Sequence, residues 1–155
     1  YISFFENAYL VFTLPRFSYS YKQQQVNPKK IYSIDNGFSS NNSASFSKDY
    51  GKMLENVVFL NLRKKYKNIF YFQEKNECDF IIKEKDKITK AVQVCFDLNE
   101  DNKDREINGL LEALEKFSLK EGIILTYKQD DEFKIKDKKI KVLPVWRWLV
   151  ERKGN

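Results

Sequence analysis

Hydrophobic and polar positions follow two different periods along this chain, and each change of period marks a predicted element. From Lys48 to Lys65 the residues Tyr50, Met53, Leu54, Val57, Val58 and Leu62 recur at helical spacing. The middle of that stretch is apolar nearly all round, which predicts a buried helix. Three strands are predicted next, at Ile69–Gln73, Cys78–Lys83 and Ile88–Phe96. The short polar connections Glu74–Glu77 and Glu84–Lys87 suit antiparallel hairpins between them. A second helix is predicted over Lys103–Phe117, with Ile107, Leu110, Leu111, Leu114 and Phe117 on one stripe and Asp101 and Asp104 near its positive end. Gly122–Tyr127 (GIILTY) is a near-continuous apolar run of the kind a strand covered on both faces carries. A Lys/Asp-rich hairpin over Glu132–Val142 and a short helix over Pro144–Val150 complete the pattern. The order helix, three strands, helix, strand predicts a mixed α/β domain over 48–155.

Residues 1–38 read differently. Tyr1–Asn7 (YISFFEN) resembles a helix end carrying Ile2, Phe4 and Phe5, and is followed by β-rich runs at Ala8–Thr13 and Arg16–Lys22, divided at Leu14-Pro15. Lys30–Ile34 is a further short strand, ended by the turn residues Asp35-Asn36-Gly37. A helix followed by a small hairpin is the back half of a winged-helix unit. Residues 39–47 are small and polar and read as a linker.

Composition narrows the chemistry. The chain has 155 residues, 42% of them apolar and 15% aromatic, enough for one domain with an aromatic-rich core. Its net charge of +6 is compatible with an anionic partner such as nucleic acid, and equally with a lysine-rich solvated surface. Two cysteines, Cys78 and Cys95, make no disulfide framework, so a reducing, cytoplasmic setting is expected. The absence of histidine removes Ser-His-Asp and Cys-His chemistry and any imidazole base. No apolar run is long enough to span a bilayer, and no phosphate-binding G-x-x-x-x-G-K-[ST] loop is present. The start at Tyr1, without Met, suggests a fragment of a longer protein.

One constellation could carry chemistry. Divalent-metal hydrolysis of a phosphodiester needs oxygen ligands converging at a rigid sheet, with a cation beside the attacking water. Strand alternation places Asp79 on the face of Ile81 and Lys83, and Gln93 on the face of Ala91 and Cys95. A hairpin between the two strands brings Asp79 beside Gln93 and Cys95. Glu55 shares a helix face with Val58, Phe59 and Leu62, where a buried carboxylate needs a hydrogen-bond partner or a cation.

Gly51-Lys52-Met53-Leu54-Glu55-Asn56, Glu77-Cys78-Asp79-Phe80, Ala91-Val92-Gln93-Val94 and the late Pro144-Val145-Trp146-Arg147-Trp148-Leu149 together resemble a C-terminal domain found in predicted bacterial and archaeal AAA+-like P-loop ATPases. The preceding Lys30-Ile31-Tyr32-Ser33-Ile34-Asp35-Asn36-Gly37 is similar to the winged-helix segment of those proteins. The resemblance implies a restriction-endonuclease-like fold of the PD-(D/E)xK type, α-β-β-β-α-β. It makes Glu55 the helix carboxylate and Asp79 the principal metal ligand, so that Mg²⁺ would be held by Glu55 and Asp79. Gln93 takes the place of the second strand acid and Cys95 that of the catalytic lysine, so the motif is degenerate. A thiol with a reference pKa of about 8.5 does not replace an ammonium, and losing one preorganised charged group costs on the order of 3 kcal/mol in the transition state. Lys83, on Asp79's face, and Lys90 are candidate replacements, and Arg105 and Glu106 resemble a recurrent pair facing the same pocket.

The expectation is therefore a recognition or regulatory module, not catalytic by itself, whose partners are an N-terminal ATPase domain of the same protein and nucleic acid. The alternatives are a Mg²⁺-dependent deoxyribonuclease and a protein docking domain. A basic groove beside Asp79 would favour nucleic acid, and a filled apolar pocket would favour docking. Trp146 and Trp148 are expected as core anchors, and Lys134–Lys141 as a solvated edge.

Overall fold

The computed structural model describes residues 1–37 and 46–151, so the expected linker lies outside the described residues up to position 45. The chain begins with α1 (Ile2–Asn7), β1 (Val11–Pro15), α2 (Tyr21–Val26) and β2 (Lys29–Ser33). The larger unit comprises α3 (Phe46–Lys65), β3 (Asn68–Gln73), β4 (Glu77–Glu84), β5 (Lys87–Val94), α4 (Lys103–Lys116), β6 (Glu121–Thr126), β7 (Asp131–Ile135), β8 (Lys138–Pro144) and α5 (Val145–Glu151). Among the described residues no helix is long and apolar enough to cross a membrane.

The fold is mixed α/β, built on a six-stranded sheet in the order β3-β4-β5-β6-β8-β7. The hairpins β3-β4 and β4-β5 are antiparallel, β5-β6 and β6-β8 are parallel, and β7 runs antiparallel to β8 along the outer edge. Both faces of the central strands are covered. On one, Leu54, Val58 and Leu62 of α3 pack with Phe80, Ile82, Val92, Leu125 and Trp148. On the other, Ile107, Leu110, Ala113 and Leu114 of α4 cover Cys78, Ile81, Ala91, Ile124 and Val142. Each such large side chain, fully removed from water, contributes roughly 1.5–3 kcal/mol. Trp148 is 3% exposed and anchors α5, whereas Trp146 is 58% exposed, so the expectation that both anchor the core is corrected. Residues two apart on a helix face different sides, and only one can point inward.

The first 37 residues depart from the expected pattern in two places: β1 runs on through Leu14 and Pro15, where a break is expected, and the segment after it is helical. Arg16–Lys22 is not a strand. The Ser20 side chain accepts the Gln23 N–H and caps α2, and Gln24 Nε2 donates to the Ser18 carbonyl at 2.6 Å. The strands β1 and β2 thus pair antiparallel across a helix, with Val11 opposite Ser33 and Pro15 opposite Lys29. This unit shares the α3-side core through Leu14 and Tyr32. The Phe17 N–H donates to the Tyr71 carbonyl at 2.8 Å and fastens the unit to the edge strand β3.

Two local features set the position of Asp79. Phe70 pairs with Ile81 and Phe72 with Cys78, so Asp79 and Phe80 together oppose the single residue Tyr71. That bulge breaks the two-residue period. Cys78 and Ile81 therefore share the α4 face, while Phe80 and Ile82 share the α3 face. Asp79 does not stand with Ile81 as alternation alone implies; its carboxylate meets groups from β2. The second feature is Gly109 on α4. A Cβ there would lie 2.0 Å from the Glu77 carbonyl oxygen, so only glycine lets the helix approach the start of β4 so closely. Three residues on from Gly109, the Glu112 carboxylate accepts the Lys75 and Asn76 N–H groups at 2.8 and 2.9 Å and holds the β3–β4 turn.

Gly109→Ala must push α4 off β4, and we expect a loss of about 3 kcal/mol, measured by urea denaturation with an unchanged m-value. A loss below roughly 1 kcal/mol would show that the helix shifts freely and does not position β4.

Candidate functional site

Five elements converge beside the bulge. Alternation along β2 puts Lys30 and Tyr32 on the side facing α3. There the Tyr32 ring stacks on Phe59 with centroids 4.1 Å apart, and its hydroxyl donates to Glu55 Oε1 at 2.6 Å. Asn56, next to Glu55, donates through Nδ2 to the Ser33 carbonyl and to Asn36 Oδ1, and its own oxygen accepts the Ser33 N–H, so β2 is clamped to α3. Lys30 Nζ then lies 3.1 Å from Glu55 Oε1, 2.7 Å from Glu77 Oε1 and 2.8 Å from Asp79 Oδ1.

On the sheet, hydrogen bonds continue from Asp79 to α4. The Val94 N–H donates to Asp79 Oδ2 at 2.9 Å, and the Asp79 N–H donates to Gln93 Oε1 at 3.1 Å. Gln93 Nε2 donates to Glu106 Oε2 at 2.6 Å, and Arg105 donates to Glu106 Oε1 through both Nε and Nη2. The network Lys30–Asp79–Gln93–Glu106–Arg105 thus links β2, β4, β5 and α4. Of the residues singled out in the sequence, Glu55, Asp79, Gln93, Arg105 and Glu106 are brought together, and Cys95 lines the same cleft. Lys83 and Lys90 are not. Lys83 lines a separate cleft with Phe17 and Lys116, and Lys90 donates to Glu84 at 2.9 Å.

Burial governs the protonation of these groups. It would pull the Lys30 ammonium down in pKa, but the charges of Asp79 and Glu55 and the hydrogen bonds that Lys30 donates to Asp79 and Glu77 outweigh it, and the group stays charged well above the usual lysine range. Burial first, and the like charge of Glu55 second, push the Asp79 carboxyl up to about 7 against the opposing effect of Lys30. In a cluster with several carboxylates around one ammonium, the most buried acid is the one that protonates most readily. Burial and the Glu55 charge hold Tyr32 as a phenol that donates to Glu55, its pKa far above the ordinary range. Burial, then the charges of Glu106 and Asp79, push the Cys95 thiol up to about 12, so it is neither nucleophile nor cation near neutral pH.

An open cleft of about 780 Å³ lies beside this network. Its lining includes the acids Glu55, Glu77, Asp79, Asp97 and Glu106, against the bases Lys75 and Arg105. It is neither the basic groove nor the filled apolar pocket contemplated above. Carboxylate oxygens are the ligands Mg²⁺ prefers. The point where they meet, however, is where the Lys30 ammonium stands, and among the described residues no group of three or more His, Cys, Asp or Glu is arranged to hold a metal ion. As placed, these side chains do not fit the Mg²⁺ expected at Glu55 and Asp79. Pattern reading missed Lys30, Tyr32, Glu77 and Asn56; the available signal was the alternation of Lys30 and Tyr32 on one strand.

Two relatives align with nearly the whole chain. An uncharacterized protein of Methanocaldococcus jannaschii (MJ1544) is 40% identical over 96% of it, and an uncharacterized protein of Haemophilus influenzae is 28% identical over 97%. The chain spans 35% and 36% of their lengths. Residues 50–148, from the residue before Gly51 to the buried Trp148, match the family described as a domain of unknown function, DUF4143. By that match, which holds Glu55, Asp79, Gln93 and Glu106, the chain belongs to the DUF4143 family.

Proposed function

We propose that this chain is the non-catalytic C-terminal module of a larger AAA-like ATPase, a recognition or regulatory unit built on a restriction-endonuclease-like sheet whose nuclease motif has become structural. Domains of this family typically form the C-terminal part of such ATPases, and the chain spans only about a third of its relatives. The observation that carries the non-catalytic reading is that the polar atoms of the sheet-borne motif are engaged internally. Asp79 Oδ1 accepts from Lys30, its Oδ2 accepts the Val94 N–H, and Gln93 bonds Asp79 through its oxygen and Glu106 through its nitrogen. Cys95, neutral, supplies no cation of its own. The acidic lining favours a protein partner over phosphate contacts inside the cleft.

One observation supports the nuclease alternative. Lys30 brings an ammonium to 2.8 Å from Asp79, the group that Cys95 does not supply. Incubation with supercoiled plasmid and Mg²⁺ or Mn²⁺ separates the two readings. We expect no nicking above background; nicking abolished by Asp79→Asn would establish the nuclease.

The electrostatics predict a pH effect. Because the Asp79 carboxyl is held above its unfolded value of 3.8, the native state binds the extra proton between that value and about 7. Its contribution to stability is fully present below the lower value and is lost as pH rises through the upper one, at up to about 1.4 kcal/mol per pH unit. In urea denaturation, the stability of the native chain relative to Asp79→Asn is expected to fall between pH 5 and 8. A difference that stays flat or rises would show that Asp79 is ionised throughout.

A further inference from the structure

We propose that Lys30 is a tethered cation in the place of a divalent ion, so that docking of the β1–α2–β2 unit and metal binding at Glu55, Glu77 and Asp79 exclude one another. This rests on the non-catalytic reading and names what closes the site; its own test is Mn²⁺ uptake.

The geometry is that of a cage around one point. Glu55 Oε1 from α3 and Glu77 Oε1 and Asp79 Oδ1 from β4 lie 3.1, 2.7 and 2.8 Å from Lys30 Nζ. An ammonium carries three donors, and here it finds three acceptors. The distances are hydrogen-bond lengths, on the order of 0.5 Å longer than calcium–oxygen bonds. The ammonium therefore props the carboxylates apart, which is why they do not form a metal site as they stand. The Lys30 side chain is only 21% exposed and Asp79 only 8%, so an incoming ion cannot share the cage with the lysine.

Lys30 belongs to a different unit from the acids it neutralises. It precedes Glu55 by 25 residues and Asp79 by 49, and it rides on the two-stranded unit held by Leu14, Tyr32 and Asn56. Charge alone favours a divalent ion, since one ammonium leaves the three carboxylates in anionic excess. Tethering reverses that preference. The docked strand presents the ammonium at high effective concentration and with little further loss of translational freedom, which free metal must match. Any event that lifts β2 from α3 would expose the cage, and metal bound there would in turn disfavour re-docking, because coupling between two sites is reciprocal.

The experiment titrates the 155-residue chain with Mn²⁺, following free Mn²⁺ by electron paramagnetic resonance and stability by thermal melting. The native chain is expected to take up no Mn²⁺ in the cage and to melt at an unchanged temperature. Lys30→Met, which keeps the apolar stem and removes the charge, is expected to bind Mn²⁺ at least about tenfold more tightly and to melt higher as Mn²⁺ is raised. Adding Asp79→Asn to that variant is expected to abolish both effects. If Lys30→Met does not fold alone, Mn²⁺ is expected to restore the fold. The proposal is overturned if Lys30→Met gains no Mn²⁺ affinity, or stays unfolded with Mn²⁺ present. It is overturned equally if the native chain binds Mn²⁺ as tightly as the variant, since lysine and metal would then coexist. Plasmid nicking by the native chain that Asp79→Asn abolishes would sink the non-catalytic reading and this proposal together, whereas Mn²⁺ uptake by the native chain without nicking would sink this proposal alone.

Discussion

The Lys30 ammonium shared by Glu55, Glu77 and Asp79 is the contact on which the polar half of this structure depends. Carboxylates withdrawn from water are costly unless paired, and here one cation serves the buried Asp79, the largely covered Glu55 and the more exposed Glu77. The same strand also supplies an apolar anchor. Tyr32 stacks on Phe59 and donates to Glu55, so β2 delivers core packing and charge compensation side by side. Neither works without the register of β1 with β2, which sets which β2 residues face α3. Through Leu14 and Tyr32 the β1–β2 pair is thus part of the core, and through Lys30 it completes the site.

On the opposite face α4 plays the complementary role. Glu106, Gly109 and Glu112 are three residues apart and fall along one side of the helix. They meet, in turn, the Gln93 amide, the Glu77 carbonyl and the β3–β4 turn. Contact at Gly109 brings the helix close enough for Glu106 to reach through to Gln93, and Gln93 relays that contact to the Asp79 backbone. Asp79 is therefore fixed from both sides of the sheet, by Lys30 from one and through Gln93 from the other. Sheet residues held in this way have little freedom to rearrange around a substrate, which fits a scaffold better than a reaction centre.

The elements from residue 48 onward were legible because each is packed in a way that leaves a periodic trace. The α3 helix carries no exposed residue from Met53 to Leu62, β6 is covered on both faces, and α4 shows a clean stripe. Arg16–Lys22 misled because aromatic residues imitate strand composition, while the Ser20 cap, a single local hydrogen bond, starts a helix there. The bulge at Asp79 is invisible to any two-residue period, since one inserted residue carries no compositional mark. Glu55, Asp79 and Gln93 were legible as a motif, but Lys30 was not, because pairing across 25 and 49 residues leaves no pattern in sequence. The acidity of the cleft was masked for a similar reason: a net charge of +6 says nothing of how charges segregate.

The neutral side chains at 93 and 95, which the proposed reading takes as departures from a nuclease pattern, have a physical role of their own. A glutamate at 93 could not donate to Glu106 and would place one more anion beside Asp79, in a cluster whose negative charge already exceeds its single ammonium. The amide of Gln93 satisfies both neighbours, accepting from one and donating to the other. A lysine at 95 would put a second cation close to the α4-side core, where Cys95 packs with Ile107 and Leu110 and is 7% exposed. Once Lys30 supplies the positive charge from outside the sheet, neutral side chains at 93 and 95 are what the surrounding packing and hydrogen bonding require. The substitutions and the lysine are best understood together, as one set of groups satisfying one another's charge and hydrogen-bonding needs.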